Sequence, residues 1–317
     1  MQELIKPLDI PTLKSELSKI RFIRTTDYVK NEIYEFENQD SPELMKEVGR
    51  LREMTFRASG GGTGLSCDLD YFDLCEKPFK QLIIWNPVTE EIIGGYRYQL
   101  GKDIIVRDNG EMLTPAGELF NFSPQFHEKY TPYMIELGRS FVIPEYQATG
   151  NVRKGISALN SLWVGIGSII AENLEQIKYL FGKFTMYRSY NTYARDLILR
   201  LLEIYFPDTE HLCTPKESIC RQYPNEMLDQ HFKGDNFNED FKTLIGLCKQ
   251  QNENIPPLVS SYTNLTPTMK YFGTSLNPGF GDVEESGILI TIDDISKKMY
   301  DRYITSSLQS INDNQAS

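Results

Sequence analysis

The amino-acid sequence predicts an α/β fold, in which a mixed central sheet is flanked by helices. Helical and strand-like hydrophobic patterns alternate along the chain. Residues 81–86 and 91–100 are two strand-like segments joined by a short proline-containing turn, which indicates a hairpin. Residues 133–142 are mainly apolar or aromatic, as in a central strand that is covered on both faces.

Length and composition fit a soluble globular protein with one large domain or two. The chain has 317 residues, of which 40% are hydrophobic and 24% are charged, and its net charge is −11. This acidic charge argues against non-specific binding to nucleic acid or to anionic membranes. No apolar run approaches the ~18 residues of a membrane span. The three histidines are isolated and have no metal-ligand spacing.

The five cysteines lack the spacing of a disulfide framework, and the first residues do not form a signal-peptide pattern. We therefore expect reduced thiols in a cytoplasmic protein.

The clearest helix signals lie in the first part of the chain. Ser41, Pro42 and Glu43 are typical of a helix start, and this helix is predicted to run to about Phe56. A shorter helix is predicted within residues 15–24.

The second half of the chain continues the alternation of helices and strands. Residues 191–206 carry an amphipathic helix pattern. Residues 266–272 and 288–293 are predicted strands, and the Gly- and Pro-containing segment 274–287 is predicted to be the loop between them.

Residues 59–64 read Ser-Gly-Gly-Gly-Thr-Gly. The run lacks the Gly-Lys-Ser/Thr ending of a phosphate-binding loop and no strand precedes it, so a flexible loop that orders over a substrate is the better interpretation. Three carboxylates follow within six residues, Asp68, Asp70 and Asp73. Such a cluster suits a cation, but the pattern lacks the glycine and terminal glutamate of a calcium loop, and we expect it to face arginines.

Glu136 and Arg139 interrupt the apolar central strand. A lone buried charge is costly, so each must be paired or solvated in a cleft. Residues three apart in a regular strand point to opposite faces, but Gly138 between them suits a bulge, which would turn both toward one site. A structural ion pair at the end of a strand explains the two charges equally well.

Residues 147–155 follow the central strand and open a helix that is predicted to run to about Leu174. Glycines, a basic pair and backbone amides at such a junction suit an anion. A solvated helix N-terminus is the simpler alternative, and these residues alone favour it.

One ordered set of residues and short motifs covers about residues 30–295. It consists of Arg52, Phe56, Asp70-Tyr71-Phe72-Asp73, Ile93-Gly94-Gly95-Tyr96-Arg97, Glu136-Leu137-Gly138-Arg139-Ser140, Leu162-Trp163-Val164-Gly165-Ile166, Phe181-Gly182 and Ile255-Pro256-Pro257-Leu258. The order of the charged residues resembles that of the acyl-homoserine-lactone synthases. The motifs resemble more closely a sister group, the hemolysin-like acyltransferases that N-acylate amino acids to make ornithine or glycine lipids.

The resemblance implies a GNAT-type N-acyltransferase fold of the α/β (α+β) class, with a mostly antiparallel central sheet and a C-terminal extension. The implied parts are an N-terminal extension (1–30), an acyltransferase core (31–206), an extension that completes the sheet and the acceptor site (207–310), and a tail expected to be disordered (311–317). The implied donor is a long-chain, 3-hydroxylated acyl thioester on acyl carrier protein, or acyl-CoA. The implied acceptor is the α-amine of glycine or ornithine, and no permanently bound cofactor or metal is expected.

The resemblance also implies roles for single residues. An α-ammonium group, with a pKa near ~8, must lose a proton before it attacks a thioester, and Glu136 is the candidate base. Arg139 and Ser140 complete the catalytic set, and backbone N–H groups of the bulge would stabilise the oxyanion. Contacts to the substrate are expected from Arg52, Phe56, Asp70, Asp73, Arg97 and Trp163. Contacts to the phosphopantetheine arm are expected from Val142, Gln147, Gly150, Arg153, Lys154 and Gly155.

For the charged residues two roles stay open. They form an interlocked structural cluster, or Asp70 or Asp73 binds the substrate ammonium group while Arg97 binds its carboxylate. For Trp163 the alternatives are an acyl tunnel and the ordinary core.

The chain departs from the family pattern at the loop after Tyr146, which lacks the Arg/Gln-x-x-Gly-x-Gly/Ala sequence of enzymes that clasp coenzyme A. This favours a carrier-protein donor. Val259-Ser260-Ser261-Tyr262 replaces a Lys-Gly-Tyr-Leu-Arg-like motif, which leaves the acceptor open. An acidic carrier protein needs a local basic patch, for which the candidates are Arg153, Lys154, Lys178, Lys183 and Arg188.

Three alternatives remain at this point: a signal synthase of the acyl-homoserine-lactone type, a GNAT enzyme that uses acyl-CoA and another amine, and a non-catalytic binding module. Contact with a membrane is expected only through a lipid product.

Overall fold

The computed structural model of the protein describes residues 1–27, 29–147 and 152–310, without the side chains of residues 152–154. These residues form two compact units. Unit 1 comprises the described residues of Met1–Asp103, Ile135–Lys178 and the segment from Ser296 to residue 310, and unit 2 comprises Ile104–Met134 and Tyr179–Ile295. Each unit is assembled from separate stretches of sequence, and the domain limits given above stay a prediction.

The strands, in chain order, are β1 (Arg21–Thr25), β2 (Glu32–Phe36), β3 (Lys80–Asn86), β4 (Glu91–Leu100), β5 (Phe120–Phe122), β6 (Met134–Val142), β7 (Tyr179–Met186), β8 (Cys213–Pro215), β9 (Lys270–Asn277) and β10 (Val283–Thr291). The α-helices are α1 (Ile10–Leu17), α2 (Pro42–Ala58), α3 (Tyr71–Leu74), α4 (Pro115–Leu119), α5 (Pro124–Lys129), α6 (Val152–Glu172), α7 (Thr192–Tyr205), α8 (Asn225–Asp229), α9 (Phe237–Gln250), α10 (Pro257–Leu265) and α11 (Lys297–Tyr300).

The sheet of unit 1 has the order β1-β2-β3-β4-β6, and each neighbouring pair is antiparallel. The predicted hairpin is confirmed as β3 and β4. The predicted start of α2 is also confirmed, because the Ser41 hydroxyl accepts a hydrogen bond from the Leu44 N–H at 3.2 Å. The helix predicted within residues 15–24 is wrong: Asp9 caps α1 by accepting from the Thr12 N–H at 2.8 Å, and the chain from Arg21 onward pairs with β2.

The sheet of unit 2 has the antiparallel order β7-β10-β9, and β5 and β8 form a separate antiparallel pair. The loop predicted at 274–287 is wrong, because β9 and β10 extend into it. The chain reverses over Pro278–Phe280, where Gly281 has a left-handed φ of 81°. A residue without a side chain adopts this conformation at no steric cost, so a short turn replaces the predicted loop.

Helix α6 is the central helix of unit 1, and its residues from 161 to 170 are all buried. Glycines allow its close packing: a Cβ atom on Gly165 would lie 2.5 Å from Leu82 Cδ2, and one on Gly167 would lie 2.3 Å from the Tyr303 carbonyl oxygen. Among the described residues, Gly155–Glu172 is the helical segment long and apolar enough for a membrane span, contrary to the expectation above. Because 67% of it is buried inside the protein, core packing accounts for its composition.

Two glycine substitutions test this packing. Gly167→Ala forces a methyl group against the backbone at Tyr303, so we expect the free energy of unfolding to fall by about 1–3 kcal/mol. Gly246→Ala in α9 is the matched control, since a Cβ atom there meets nothing within 4 Å and removal of a helical glycine should stabilise by about 0.5–1 kcal/mol. Urea denaturation measures both, and a shift of the same sign in the two variants would contradict the packing described for α6.

Candidate active site

Arg52 on α2 lies at the centre of a buried ion network in unit 1. Its guanidinium donates to Asp68 (Nε to Oδ2, 3.1 Å; Nη2 to the carbonyl oxygen, 2.7 Å) and to both carboxylate oxygens of Asp73 (3.1 and 2.8 Å). A fifth bond goes to the Gln81 side-chain oxygen at 3.3 Å. All five N–H donors of Arg52 are thus satisfied although its exposed fraction is 0%, which is the condition under which a buried charge is tolerated.

Arg97 on β4 is the second buried arginine of the network, with an exposed fraction of 1%. It forms a bidentate pair with Asp70 (2.7 and 2.8 Å), and its Nη1 lies 3.0 Å from Asp73 Oδ2. The guanidinium carbon also lies 5.9 Å from the Phe72 ring centroid and 5.4 Å from that of Phe79. Carboxylates and aromatic faces offset part of its desolvation, whereas its buried Nε has no hydrogen-bond partner among the described residues.

The spacing of the two aspartates has a local cause. Asp70 is the N-cap of α3 and accepts from the Phe72 N–H at 2.9 Å, while the Asp70 N–H donates to Asp73 Oδ2 at 3.2 Å. This capping box fixes both carboxylates before any arginine is added. The prediction that the aspartate cluster faces arginines is confirmed.

A β-bulge interrupts β6. Gly95 pairs with Phe141 and Arg97 pairs with Gly138, so one residue of β4 lies opposite two residues of β6, Arg139 and Ser140. The bulge predicted beside Gly138 is confirmed, but the residue in the left-handed region is Arg139, with a φ of 48°. A non-glycine residue holds such a φ only when its surroundings compensate the strain.

Asp68 and Asp70 supply that compensation. Arg139 Nε lies 2.9 Å from Asp68 Oδ2, and Arg139 Nη2 lies 3.4 Å from Asp70 Oδ2. Asp68 therefore bridges Arg52 and Arg139. The side chain of Arg139 is 15% exposed, which makes it the most accessible arginine of this network.

Glu136 is fully buried on β6 and lies on the sheet face of the ion network. It is paired directly with Gln99, as Gly138 is with Arg97. Directly paired residues share a face, and so do residues two apart. The bulge brings Arg139 to this face as well, because Arg139 bonds the carboxylates that hold Arg97. The sequence prediction that a bulge turns residues 136 and 139 to one side is confirmed.

The other predicted site residues of unit 1 lie outside this network. Phe56 is buried on α2. Trp163 is buried on α6, with its ring centroid 6.0 Å from that of Tyr303. The Gln147 side-chain amide donates to the Val142 carbonyl oxygen at 2.8 Å.

Part of the predicted phosphopantetheine contact set cannot be placed. Gly150 and the side chains of Arg153 and Lys154 lie outside the described residues, whereas Gly155 belongs to α6.

The prediction that Lys183 belongs to a basic surface patch is wrong. Lys183 has a side chain only 9% exposed and lies 3.9 Å from Glu285, so it is not a surface cation. Lys178 is exposed. Arg188 is 70% exposed and pairs with Asp282 at 2.8 Å.

Comparison with known proteins identifies the family. The model of the acetyltransferase (GNAT) domain matches residues 51–154, which contain the whole ion network and Glu136. Two curated relatives are named glycine N(alpha)-acyltransferase. The one from Phocaeicola vulgatus is 47% identical over 96% of this chain and 94% of its own length. The one from Bacteroides thetaiotaomicron is 47% identical over 98% of this chain and 92% of its own length.

The chain belongs to this family of GNAT N-acyltransferases. Among solved structures, a CoA-dependent acyl-homoserine lactone synthase with SAM and isopentyl-CoA matches 53% of this chain and 72% of its own, at 11% identity and a TM-score of 0.28. That likeness is too weak to support an inference. The predicted fold class and the predicted enzyme class are both confirmed.

Sequence reasoning missed two members of the acyltransferase's network as site residues. Asp68 stood within the aspartate run, but nothing local distinguished it from Asp70 and Asp73. Gln81 accepts from Arg52 and donates to Asp73 at 3.1 Å. The available signal was a polar residue directly before the apolar run of β3, Leu82 to Trp85. Among the described residues, no group of three or more His, Cys, Asp or Glu side chains is arranged to hold a metal ion.

Burial and neighbouring arginines act in opposite directions on the network's aspartates. Burial raises the pKa of Asp68, but the positive charges of Arg139 and Arg52 lower it by a larger amount. The pKa of Asp68 therefore lies below its usual range. The same balance, with Arg52 and Arg97, lowers the pKa of Asp73. Each folded-state pKa lies below the unfolded value of about 3.9. The stabilisation is therefore complete above about pH 4 and is lost as the pH falls through the folded-state values.

Asp68→Asn tests this network. It leaves two arginines short of an anion, and we expect the free energy of unfolding at pH 7 to fall by about 3–5 kcal/mol. The difference between variant and wild type should shrink as the pH is lowered below about 4, because Asp68 takes up a proton first in the unfolded chain and, at lower pH, in the folded protein. Asp27→Asn is the control, since Asp27 is 69% exposed and its ion pair among the described residues is with Arg24. Chemical denaturation from pH 2.5 to 7 measures both, and a pH-independent difference would contradict the assignment.

Proposed function

We propose that this acyltransferase transfers a long-chain, 3-hydroxylated acyl group from acyl carrier protein to the α-amine of glycine, as a step in aminolipid synthesis. One observation supports glycine as the acceptor: the two relatives named glycine N(alpha)-acyltransferase are 47% identical to this chain over nearly its full length. This choice leaves ornithine as the alternative acceptor. We expect the reaction in the cytoplasm, with membrane contact only through the lipid product.

Glu136 is the proposed general base. The amine of glycine is mostly protonated at pH 7, so a group beside it must remove a proton before attack on the thioester. Glu136 is fully buried in a strand of apolar neighbours, and a water-poor site strengthens its interaction with an ammonium group. The proton moves to the carboxylate directly or through one water, and the neutral amine attacks the carbonyl carbon.

The exposures within the network select the acceptor contacts. Arg52, Arg97 and Asp73 are fully buried or nearly so, so we assign them to holding the site rather than to binding. Arg139 at 15% and Asp70 at 29% remain accessible. A zwitterionic amino acid would present its carboxylate to Arg139 and its ammonium group to Asp70. The sequence left Asp70 and Asp73 open as partners of the ammonium group and gave Arg97 as the partner of the carboxylate. The exposures favour Asp70 for the ammonium group and Arg139 instead of Arg97 for the carboxylate.

We propose that the acyl donor binds beside the bulge. Strand pairing is interrupted at Arg139 and Ser140, and an N–H at such a break is suited to the oxyanion of the tetrahedral intermediate. The intermediate collapses with breakage of the carbon–sulfur bond and release of the phosphopantetheine thiol. Residues 147–155, which follow β6 in the sequence and include the first residues of α6, are the proposed dock for the phosphopantetheine arm. Trp163 and Phe56 stay candidates for acyl contact.

The test is a turnover assay with 3-hydroxyacyl carrier protein and glycine, ornithine or another amine in turn, with the N-acyl product measured by mass. Wild type is expected to form N-acylglycine. Glu136→Gln should lower kcat/KM by about 10²–10⁴-fold, the range of general base catalysis. Glu35→Gln is the matched control: Glu35 is a buried glutamate on a strand of the same sheet, but its carboxylate is bonded to Tyr98 and Lys80. Near wild-type turnover of Glu136→Gln would overturn the role of the base.

The same assay with acyl-CoA separates the two donors. A kcat/KM at least about tenfold higher with the carrier protein supports the proposed donor, a difference of about 1.4 kcal/mol in transition-state stabilisation. Equal values would contradict it and leave an acyl-CoA-dependent enzyme. Product with ornithine and not with glycine would contradict the acceptor.

A further inference from the structure

Another buried charge of α2, Glu53, follows Arg52 in the sequence and is not part of its network. Glu53 has an exposed fraction of 0%. Its Oε2 accepts from the Thr63 N–H (2.9 Å) and the Thr63 hydroxyl (2.8 Å). Its Oε1 accepts from the Gly64 N–H (2.7 Å) and from Arg57 Nε (2.7 Å). Each carboxylate oxygen thus has two donors, which is full compensation for a buried anion.

This arrangement explains the glycine run that suggested a phosphate-binding loop. Gly60, Gly62 and Gly64 have left-handed φ values of 92°, 94° and 78°, which only glycine adopts freely. A Cβ atom on Gly62 would also lie 3.1 Å from Glu53 Oε1. The loop amides that would cradle a phosphate instead bind a carboxylate of the same chain.

The loop is fastened at both ends. Arg57 Nη1 donates to the Gln2 carbonyl oxygen at 2.7 Å, and Arg57 also bonds the Leu65 carbonyl oxygen. The Gln2 N–H donates to the Gly64 carbonyl oxygen at 2.8 Å, so the N-terminal residues are joined to the loop. Beyond the loop, the Asp68 N–H donates to the Gly49 carbonyl oxygen at 3.0 Å, which returns the chain to α2.

These bonds hold the segment of chain that leads to Asp68. Asp68 bridges Arg52 and Arg139, and Arg139 is the arginine assigned above to the carboxylate of the acceptor. The left-handed backbone of Arg139 depends on Asp68 and Asp70. A loop that loosens between residues 60 and 66 would therefore change where Arg139 lies, although no atom of Glu53 contacts Arg139 among the described bonds.

We propose that Glu53 is a positioning residue for the acyl transfer: it locks the glycine loop, and through Asp68 it fixes the acceptor-binding position of Arg139. The inference rests on the proposed function for the acceptor that is used in its test. It assigns Glu53 to the binding of the amino acid and not to the donor or the proton transfer.

The experiment compares Glu53→Gln with wild type in the full chain. The amide keeps the shape but presents an NH₂ group to donors, and loss of hydrogen bonds to a charged group should raise KM for glycine by about tenfold or more. We expect KM for the acyl donor to change by less than about twofold. The shape of the plot of kcat against pH should stay that of wild type. Limited proteolysis within residues 59–67 should become faster. Glu43→Gln is the matched control on the same helix, because Glu43 is 52% exposed and its ion pair within the described part of the chain is with Lys46.

If Glu53→Gln does not fold, a milder variant tests the same role. Thr63→Val removes one of the four bonds to Glu53 and should raise KM for glycine in the same direction, by about threefold. Glu53→Asp, which keeps the charge, should restore part of the loss.

Three outcomes separate the claims. Wild-type KM for glycine in both Glu53→Gln and Thr63→Val overturns the positioning role. Equal losses toward both substrates, with a lowered unfolding temperature, also overturn it and leave a purely structural residue. Absence of N-acylglycine from wild type counts against the proposed function instead, and the KM of whichever amine wild type acylates then decides the role of Glu53.

Discussion

The buried pairing of Arg52 with Asp68 and Asp73 is the interaction on which unit 1 depends. Taking a guanidinium and two carboxylates out of water costs several kcal/mol per ion. That cost is offset only when every donor and acceptor is bonded, as it is for Arg52. Removal of one partner leaves an uncompensated buried charge, which costs about 3–5 kcal/mol. The network therefore ties α2 and the α3 segment to β3 and β4.

The network has a consequence for β6. Two further arginines join it, Arg97 from β4 and Arg139 from the bulge. The bond from Arg139 to Asp68 holds a left-handed backbone that an isolated strand would not adopt. As a result, a charged side chain and the buried Glu136 share one face of the sheet. The proposed acyl transfer uses this combination: Glu136 as the base, Arg139 as the cation with some access to solvent, and the interrupted strand pairing beside them.

Much of the fold follows from local chemistry in the sequence. The cap at Ser41, the hairpin of β3 and β4, and the capping box from Asp70 to Asp73 are short-range patterns, and each forms where its residues predict it. The bulge beside Gly138 was one of two interpretations of the two charges three apart in an apolar strand, and the strand register confirms it. The extent of β9 and β10 was not predictable, since Gly and Pro between them suggest a loop and only pairing with β7 shows how far the strands continue.

The rest of the site depends on long-range partners that sequence spacing does not reveal. Asp68 and Asp73 are alike in the sequence, and only the position of Arg139 makes Asp68 the bridge. Glu53 reads as an ordinary helix residue until the glycine loop closes on it. Lys183 looks like a surface cation because lysine usually is one, whereas the register of β7 and β10 places it near Glu285.

A double-mutant cycle tests most directly the claim that the ion network acts through Arg139. It compares wild type, Asp68→Asn, Arg139→Gln and the double variant by kcat/KM for glycine, at a temperature where all four are folded. If Asp68 serves the reaction by holding Arg139, the double variant should lie within about threefold of the worse single variant. Losses that multiply would show that the two residues act independently, and would contradict the account.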